Sequence, residues 1–525
     1  MLSNLFRGPQ SSRKRSQLRR RRAARRMFFG GANSFTLQCE PLEARVLLAV
    51  DIAATKIDSL FTDVDSDNVA DPGDTLQYDV TITNNGNMDA TGVAFNDTED
   101  GNTTLVGSVK ITPIAFDDGP YMLTGNTPIT INAASGVLLN DIDPDSSPTP
   151  LMNTGVTAVG LDVTGTQGTV SLNTDGSFTF TPTTGFTGLT TFKYTARDAD
   201  SLDSVVTGTV TMNVSGLVWY VDSAYADGGN DGSFNKPFTS LTPLSGAGGA
   251  GDPDATGNTI FVYESGATYT GGIELENTQS LIGKSIGLTV NGMTIGGSGS
   301  NPTIATAAAA NDITLASGNT VRGFTLGNSS GSALAGTSFG TLTIDTVAIN
   351  TNGQALNLNT GAFGVGAAFT SITATGGSTG INLVTIAGSV DLGSGALSGH
   401  IAPFLVNGGT VSTTYSGSIT QPLNGTVVGV SFHSTGTITF QTGTLSATNG
   451  TGLFFNNATG TYNFNGTTTL NGGDAGIDIL NVSSGTFSFS SNTSIGTTTS
   501  PSGPAFRMQN SDANVTYSGS INQDA

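Results

Sequence analysis

Four short strings toward the C-terminal end bring aromatic side chains into register, and they constrain the fold more than any other feature. GTITF at Gly436, GTYNF at Gly460, GTFSF at Gly485 and ANVTY at Ala513 align Phe440, Phe464, Phe489 and Tyr517 in one column, which Tyr415 begins. The spacings are 25, 24, 25 and 28 residues, and a second column two residues earlier holds Ile438, Tyr462, Phe487 and Val515. Apolar and polar residues alternate with period two inside each unit, so the units are strands, not helix pairs. A repeat of this length marks a solenoid, because a single coil has no way to bury its apolar face without neighbours above and below.

Composition extends that reading to the whole chain. Gly contributes 72 of 525 residues and charged residues only 11%, and runs of Thr, Val, Ile and Phe are punctuated by Gly, Asn and Asp. Strands joined by tight turns are what this chemistry supports, so the chain is expected to be all-β. Charge is divided sharply. Residues 1–50 carry 11 of the 19 Lys and Arg, while the remainder holds eight bases against 37 acids. An anionic surface of that kind excludes nucleic acid as a partner for the main body and favours divalent cations. Cys39 is the single cysteine, so no internal disulfide is possible. No apolar run is long enough for a membrane helix, and no transmembrane helix is expected.

The basic run 13–26, RKRSQLRRRRAARR, read alone, suits a nucleic-acid arm or a solvated tail, but it precedes LEARVLLA at 42–49. That string resembles the LEPR-XLL signature near the start of large exported bacterial proteins, with Ala44 where the signature usually has Pro. The resemblance implies that residues 1–50 are an export or processing segment, expected to be disordered.

In residues 51–113, LQYDVTITNNG at 76–86 places Leu76, Tyr78, Val80 and Ile82 on one strand face, which is expected to be buried. DPGDTLQYDVTITNNGN resembles the conserved-repeat module of bacterial surface proteins, which implies an Ig-like β-sandwich. Residues 114–216 carry DDGPYMLTGNTPITI, GVLLNDIDPD, DGSFTFTP and GFTGLTTFKYTARDAD. They resemble a cadherin-like bacterial tandem module, a second sandwich that serves as a spacer or adhesion unit in that family. Phe178 and Phe180 alternate in one strand and Phe192 and Tyr194 in the next, as a half-buried antiparallel sheet requires. From residue 217 to 525, VWYVDSAYADGGNDGSFNKPFTSL followed by NTIFVYESGATYTGGI resembles the opening turns of pectate-lyase-like right-handed parallel β-helices. There the Gly-Asp-Gly and Pro-Phe segment caps the open end, and Trp219 is read as cap or core. About twelve coils rising about 4.8 Å each are expected, the ordinary strand spacing. YSGSI recurs at 415–419 and 517–521 and the sequence stops four residues later, so the array is expected to be cut short.

Two acidic loops carry candidate metal ligands. FTDVDSDNVADPGD sets Asp63, Asp65, Asp67, Asp71 and Asp74 at positions 1, 3, 5, 9 and 12 of a calcium-type loop, with the Val69 carbonyl at 7. Asn68 stands where Gly is usual and tolerates the left-handed conformation. NDIDPD supplies Asp141, Asp143 and Asp145, and the resemblance to cadherin-like modules implies that Asp198, Asp200 or Asp203 completes a calcium shell. Catalytic candidates are sparse. After Asn277 only Lys284, Arg322 and Arg507 are bases, and the acids are scattered along the solenoid. Asp474 and Asp478 read as a solvated turn. His400 and His433, 33 residues apart, lack a neighbouring acid motif. Asn-rich turns such as FNNATG at 455–460 are expected to stack as amide ladders. The expected function is a non-enzymatic, extracellular surface adhesion or scaffold protein with calcium-stabilised β modules, bound to cell-surface glycans or proteins. The alternative is a carbohydrate-active β-helix, a polysaccharide lyase or hydrolase.

Overall fold

The structure is a computed structural model that describes residues 50–88, 90–146, 155–246, 251–306 and 310–523. The basic run and the LEARVLLA string lie outside these residues. Among them, helix is confined to the single 3-10 turns Ala133–Ser135 and Thr242–Leu244, and none is long and apolar enough to cross a membrane. The chain divides into two compact units between Gly107 and Ser108.

In the first unit, β1 (Ile52–Thr62) pairs antiparallel with β2 (Thr75–Asn84). The described residues 85–107 add no further strand, so a hairpin stands where a two-layer sandwich was expected. The face built from Leu76, Tyr78, Val80 and Ile82 exists, but Tyr78 and Ile82 remain 47% and 44% exposed. A sheet face is buried only when a second layer covers it, and no second sheet is described within this unit.

The second unit opens with a sandwich. One sheet holds β3 (Asp118–Gly125), β5 (Thr157–Asp162), β8 (Gly188–Arg197) and β9 (Gly208–Val221); the other holds β4 (Ile129–Ile131), β6 (Gly168–Leu172) and β7 (Phe178–Pro182). Phe178, Phe180, Phe192 and Tyr194 are all buried between them, as their alternation predicts. Phe178 meets Phe192 edge to face at 5.3 Å.

β9 does not stop at the sandwich boundary. Residues 208–214 pair with β8, and Val218–Val221 continue as the first rung of a parallel stack by pairing with Thr259–Val262. From there one ladder runs through twelve parallel strands, hence eleven turns, to Ser520–Ile521. The opposite edge of the first rung is closed by the predicted cap. Tyr220 N donates to Gly232 O and Phe238 N to Tyr220 O, both at 2.9 Å. Trp219 is buried, stacks on Phe238 at 6.1 Å and donates its indole N–H to Asn258 at 2.9 Å.

The sandwich and the solenoid are also clamped by side chains. The solenoid hairpin formed by Leu288–Val290 and Met293–Ile295 carries Asn291 at its tip, and that amide donates to Thr124 O and Thr127 O and accepts from Thr124 N. Thr127 Oγ1 lies 2.7 Å from the buried Tyr220 hydroxyl.

Inside the solenoid the aromatic register is as aligned. Tyr415, Phe440, Phe464, Phe489 and Tyr517 are successive rung partners, and so are Ile438, Tyr462, Phe487 and Val515. Phe464 stacks on Phe440 at 5.2 Å and on Phe489 at 4.9 Å, with interplanar angles of 20° and 15°. Amide ladders occur both at the turns, where Asn481 donates to Asn456 at 3.0 Å, and within paired strands, where Asn382 donates to Asn357 at 3.1 Å. Asn457, Asn481 and Asn510 take the left-handed conformation at these corners, which Asn adopts more cheaply than other residues bearing a Cβ. Phe464→Ala removes the middle ring of the stack without access for water to fill the gap. It is expected to cost about 3–5 kcal/mol, read as a lowered denaturant midpoint of the full-length chain, with Phe464→Leu losing clearly less.

Candidate metal centre

The first acidic loop is the connection of the β1–β2 hairpin, and most of its carboxylates hold the turn itself. Asp63 accepts from Ser66 N at 2.6 Å and Asn68 N at 2.8 Å, and Asp67 accepts from Val69 N at 2.8 Å. Asp74 accepts from Val64 N at 2.9 Å and Asp71 N at 3.0 Å. Asn68 is left-handed with φ of 64°, as required. Ligand oxygens of Asp63, Asp65 and Asp67 lie within 4.8 Å of one another, whereas Asp71 and Asp74 stand outside that group. Asp74 is drawn instead into closing the loop's neck. The hydrogen bond from Asn68 N is the main reason the Asp63 carboxyl sits below the usual carboxylate range. This group faces solvent, so water and backbone amides already satisfy it.

The second loop is built differently. Asp143, Asp145 and Asp198 bring their oxygens within 4.8 Å of one another, and Asp143 and Asp198 are only 4% and 6% exposed. Asp198 comes from the loop after β8, so of the three aspartates expected there it is the one that completes the group. Asp200 pairs instead with Lys110 at 2.9 Å, and Asp203 accepts from Arg197 Nε at 2.6 Å and Nη2 at 2.9 Å. Asp141 is not part of the group. It is fully buried, accepting from Phe116 N at 2.8 Å and from the Tyr194 hydroxyl at 2.9 Å. That corrects the expected trio, because Asp141 is used to anchor β8 to the incoming chain.

Within the cluster, Asp198 also accepts from Leu202 N at 2.8 Å and Asp145 from Ile111 N at 2.6 Å. Asp143 Oδ1 and Asp198 Oδ2 are sealed from solvent and have no hydrogen-bond partner. Burial, and then the Asp145 carboxylate, push the Asp143 carboxyl up. Gly155 lies against this group, where a Cβ would stand 2.8 Å from Asp143 Oδ2. Buried carboxylate oxygens without donors are costly unless a proton or cation meets them. A hard divalent ion with oxygen ligands fits this donor set.

Sequence reasoning missed a second kind of buried acid. Asp118 on β3 is pushed up to about 7 and Asp141 to about 6, chiefly by burial. In the solenoid, Asp254 is 7% exposed and accepts from Gln279 at 2.6 Å, and its carboxyl is pushed up to about 8 by burial and then by Asp252. Only the local DPD spacing at 252–254 hinted at it. Two of the solenoid's bases are engaged in ion pairs, Arg322 with Asp345 at 2.6 Å and Arg507 with Asp478 at 2.8 Å, each across adjacent coils. Both histidines are fully buried and their pKa values are lowered by burial. His433 lies 2.9 Å from the Tyr462 hydroxyl and 2.9 Å from Val411 O.

Residues 110–216 match the bacterial cadherin-like domain family. No curated protein matches the chain. Among solved structures it is similar to a family 28 exopolygalacturonase of Yersinia enterocolitica, with 12% identity over 66% of this chain and 86% of that one. The TM-score of 0.19 is too low for that likeness to bear on activity.

The buried acids set a pH dependence. A carboxyl whose pKa is raised on folding contributes stability that is present below the unfolded value and lost as pH rises through the folded one. For Asp254 the window runs from about 4 to about 8. The melting temperature of wild type is therefore expected to fall relative to Asp254→Asn across that window, the gap opening as pH rises and closing near pH 4, measured by thermal melts of the full-length chain in chelator.

Proposed function

We propose that the protein is a non-enzymatic extracellular surface protein with an adhesion or scaffold role, in which a cadherin-like module and a β-solenoid form a stiff arm. The observation that carries this reading is β9, one strand that turns at Gly216 (φ 71°) and belongs to both the sandwich sheet and the first rung of the solenoid. Sharing a strand removes the hinge that a loop linker would provide. Such an arm holds a binding surface at a fixed distance and direction. The basic run and LEARVLLA string support export of the chain. Cell-surface glycans or proteins are the partners this reading implies.

Calcium belongs to the same reading. Asp143, Asp145 and Asp198 would hold it in the cadherin-like module, and Asp63, Asp65 and Asp67 offer a second, exposed position. Bound there, the ion supplies the charge that lets buried carboxylates coexist. Extracellular modules of this type need only dissociation constants of about 0.1–1 mM. The rival reading, a carbohydrate-active β-helix, draws on the Arg322–Asp345 and Arg507–Asp478 pairs, but each pair neutralises itself and stands on different coils.

Two measurements on the full-length chain test the proposal. Calcium is expected to stabilise the protein by about 2.7 kcal/mol once its free concentration reaches about 100 times the dissociation constant, read as a raised melting temperature. Asp143→Asn with Asp198→Asn should remove most of that gain. No reducing sugar should be released from acidic or neutral polysaccharides. Release that disappears with Asp345→Asn or Asp478→Asn would overturn the non-enzymatic reading.

A further inference from the structure

We propose that Lys110 is a built-in counter-ion of the Asp143, Asp145 and Asp198 cluster, and that its ammonium competes with the divalent cation for that cluster. The inference rests on the cation reading above and adds a regulator to it. Lys110 lies in the segment that leads into the cadherin-like module, and its ammonium sits 2.9 Å from Asp200 Oδ1. Asp200 stands two residues beyond Asp198, so this pair brings the ammonium beside the cluster, and Asp200 first, then Asp198 and Asp145, strengthen its charge. One residue further on, Ile111 N donates to Asp145 Oδ2 at 2.6 Å. The peptide that follows Lys110 is thereby tied to one of the three cluster carboxylates. Arg197, the other cation nearby, is committed to Asp203 by two bonds of 2.6 and 2.9 Å.

The chemistry follows from charge alone. Three carboxylates within 4.8 Å repel one another, and an ammonium on a flexible four-carbon stem offsets part of that repulsion without entering the cluster. A divalent ion offsets it more fully, and then the ion and Lys110 repel each other. Because coupling is reciprocal, whatever Lys110 subtracts from cation affinity, the cation subtracts from the Lys110–Asp200 pair. The bond from Ile111 N is under the same competition for Asp145. The module's incoming segment is therefore held by Lys110 and Ile111 when the cation is scarce, and the Lys110 part of that hold weakens when it is plentiful. Lys110 is half exposed, with its side chain at 53%, so its replacement leaves the core intact.

The test is calorimetric titration of calcium into the full-length chain carrying Asp63→Asn and Asp67→Asn, which leaves the cadherin-like cluster as the position titrated. Lys110→Met is expected to bind calcium about fivefold more tightly, the order for one exposed charge acting on a divalent ion. Lys110→Arg should stay within about twofold of the parent, and the Lys110→Met advantage should shrink as salt screens the charge. Equal or weaker binding by Lys110→Met overturns the counter-ion role and leaves the cation reading standing. A parent that does not bind calcium, or binds it as well after Asp198→Asn, overturns both.

Discussion

Everything in the second unit depends on the parallel backbone ladder between successive coils. A stack of strands satisfies its own N–H and C=O groups only between rungs, so its first rung presents a free edge that templates aggregation unless something pairs with it. Here the loop carrying Gly232 and Phe238 bonds to Tyr220, and β9 itself grows out of the sandwich sheet. The first coil is thus ordered by a domain that folds around its own core of Phe178, Phe180, Phe192 and Tyr194. Asn291 adds three hydrogen bonds across the same boundary. Because each later coil is templated by the one before it, a well-fixed first rung fixes the direction of the rest.

The ladder also explains where charge is tolerated. No Asp, Glu, Lys or Arg occurs between Asp391 and Asp474. Inward positions of those coils are filled mostly by Phe, Tyr, Ile, Leu and Ala, with the buried Thr413 and Thr468 among them, and outward positions by Ser, Thr and Asn. Stacking identical charges at one strand spacing would place them about 4.8 Å apart, which neutral hydroxyl and amide columns avoid. Elsewhere in the solenoid most acids lie in loops and turns, and Asp345 and Asp478, which lie in strands, each meet an Arg on the adjacent coil.

The sequence made the solenoid legible because its constraint is periodic. A register of 24 to 28 residues repeated four times predicts rung partners directly, and Phe440, Phe464, Phe489 and Tyr517 are those partners. The cadherin-like sandwich was legible through alternation at Phe178, Phe180, Phe192 and Tyr194. Alternation alone misled in residues 51–113. It predicts that Leu76, Tyr78, Val80 and Ile82 share a face, but says nothing of whether another sheet lies over it. The buried acidic cluster was half legible for a related reason. Spacing along the chain identified Asp143 and Asp145, but not that Tyr194 and Phe116 N would claim Asp141, nor which aspartate of the loop after β8 would turn inward. Those choices are made by partners distant in sequence.

The buried acids differ in what can neutralise them, and that difference separates structural carboxyls from the candidate metal centre. Asp312 accepts from Thr306 N at 2.7 Å and is pushed up to about 6, mainly by burial. Asp254, at about 8, holds a proton at neutral pH. One proton suffices for Asp312 alone and for the Asp254–Asp252 pair, where the neutral acid serves as a donor to its neighbour. A cluster of three is another matter. Protonating Asp143 would leave Asp145 and Asp198 facing each other, and Asp198 Oδ2 would still lack a donor unless that single proton happened to point at it. A divalent ion reaches all three oxygens at once and replaces their mutual repulsion by attraction to one centre. The geometry that makes a proton adequate in the solenoid makes it inadequate at the mouth of the cadherin-like module.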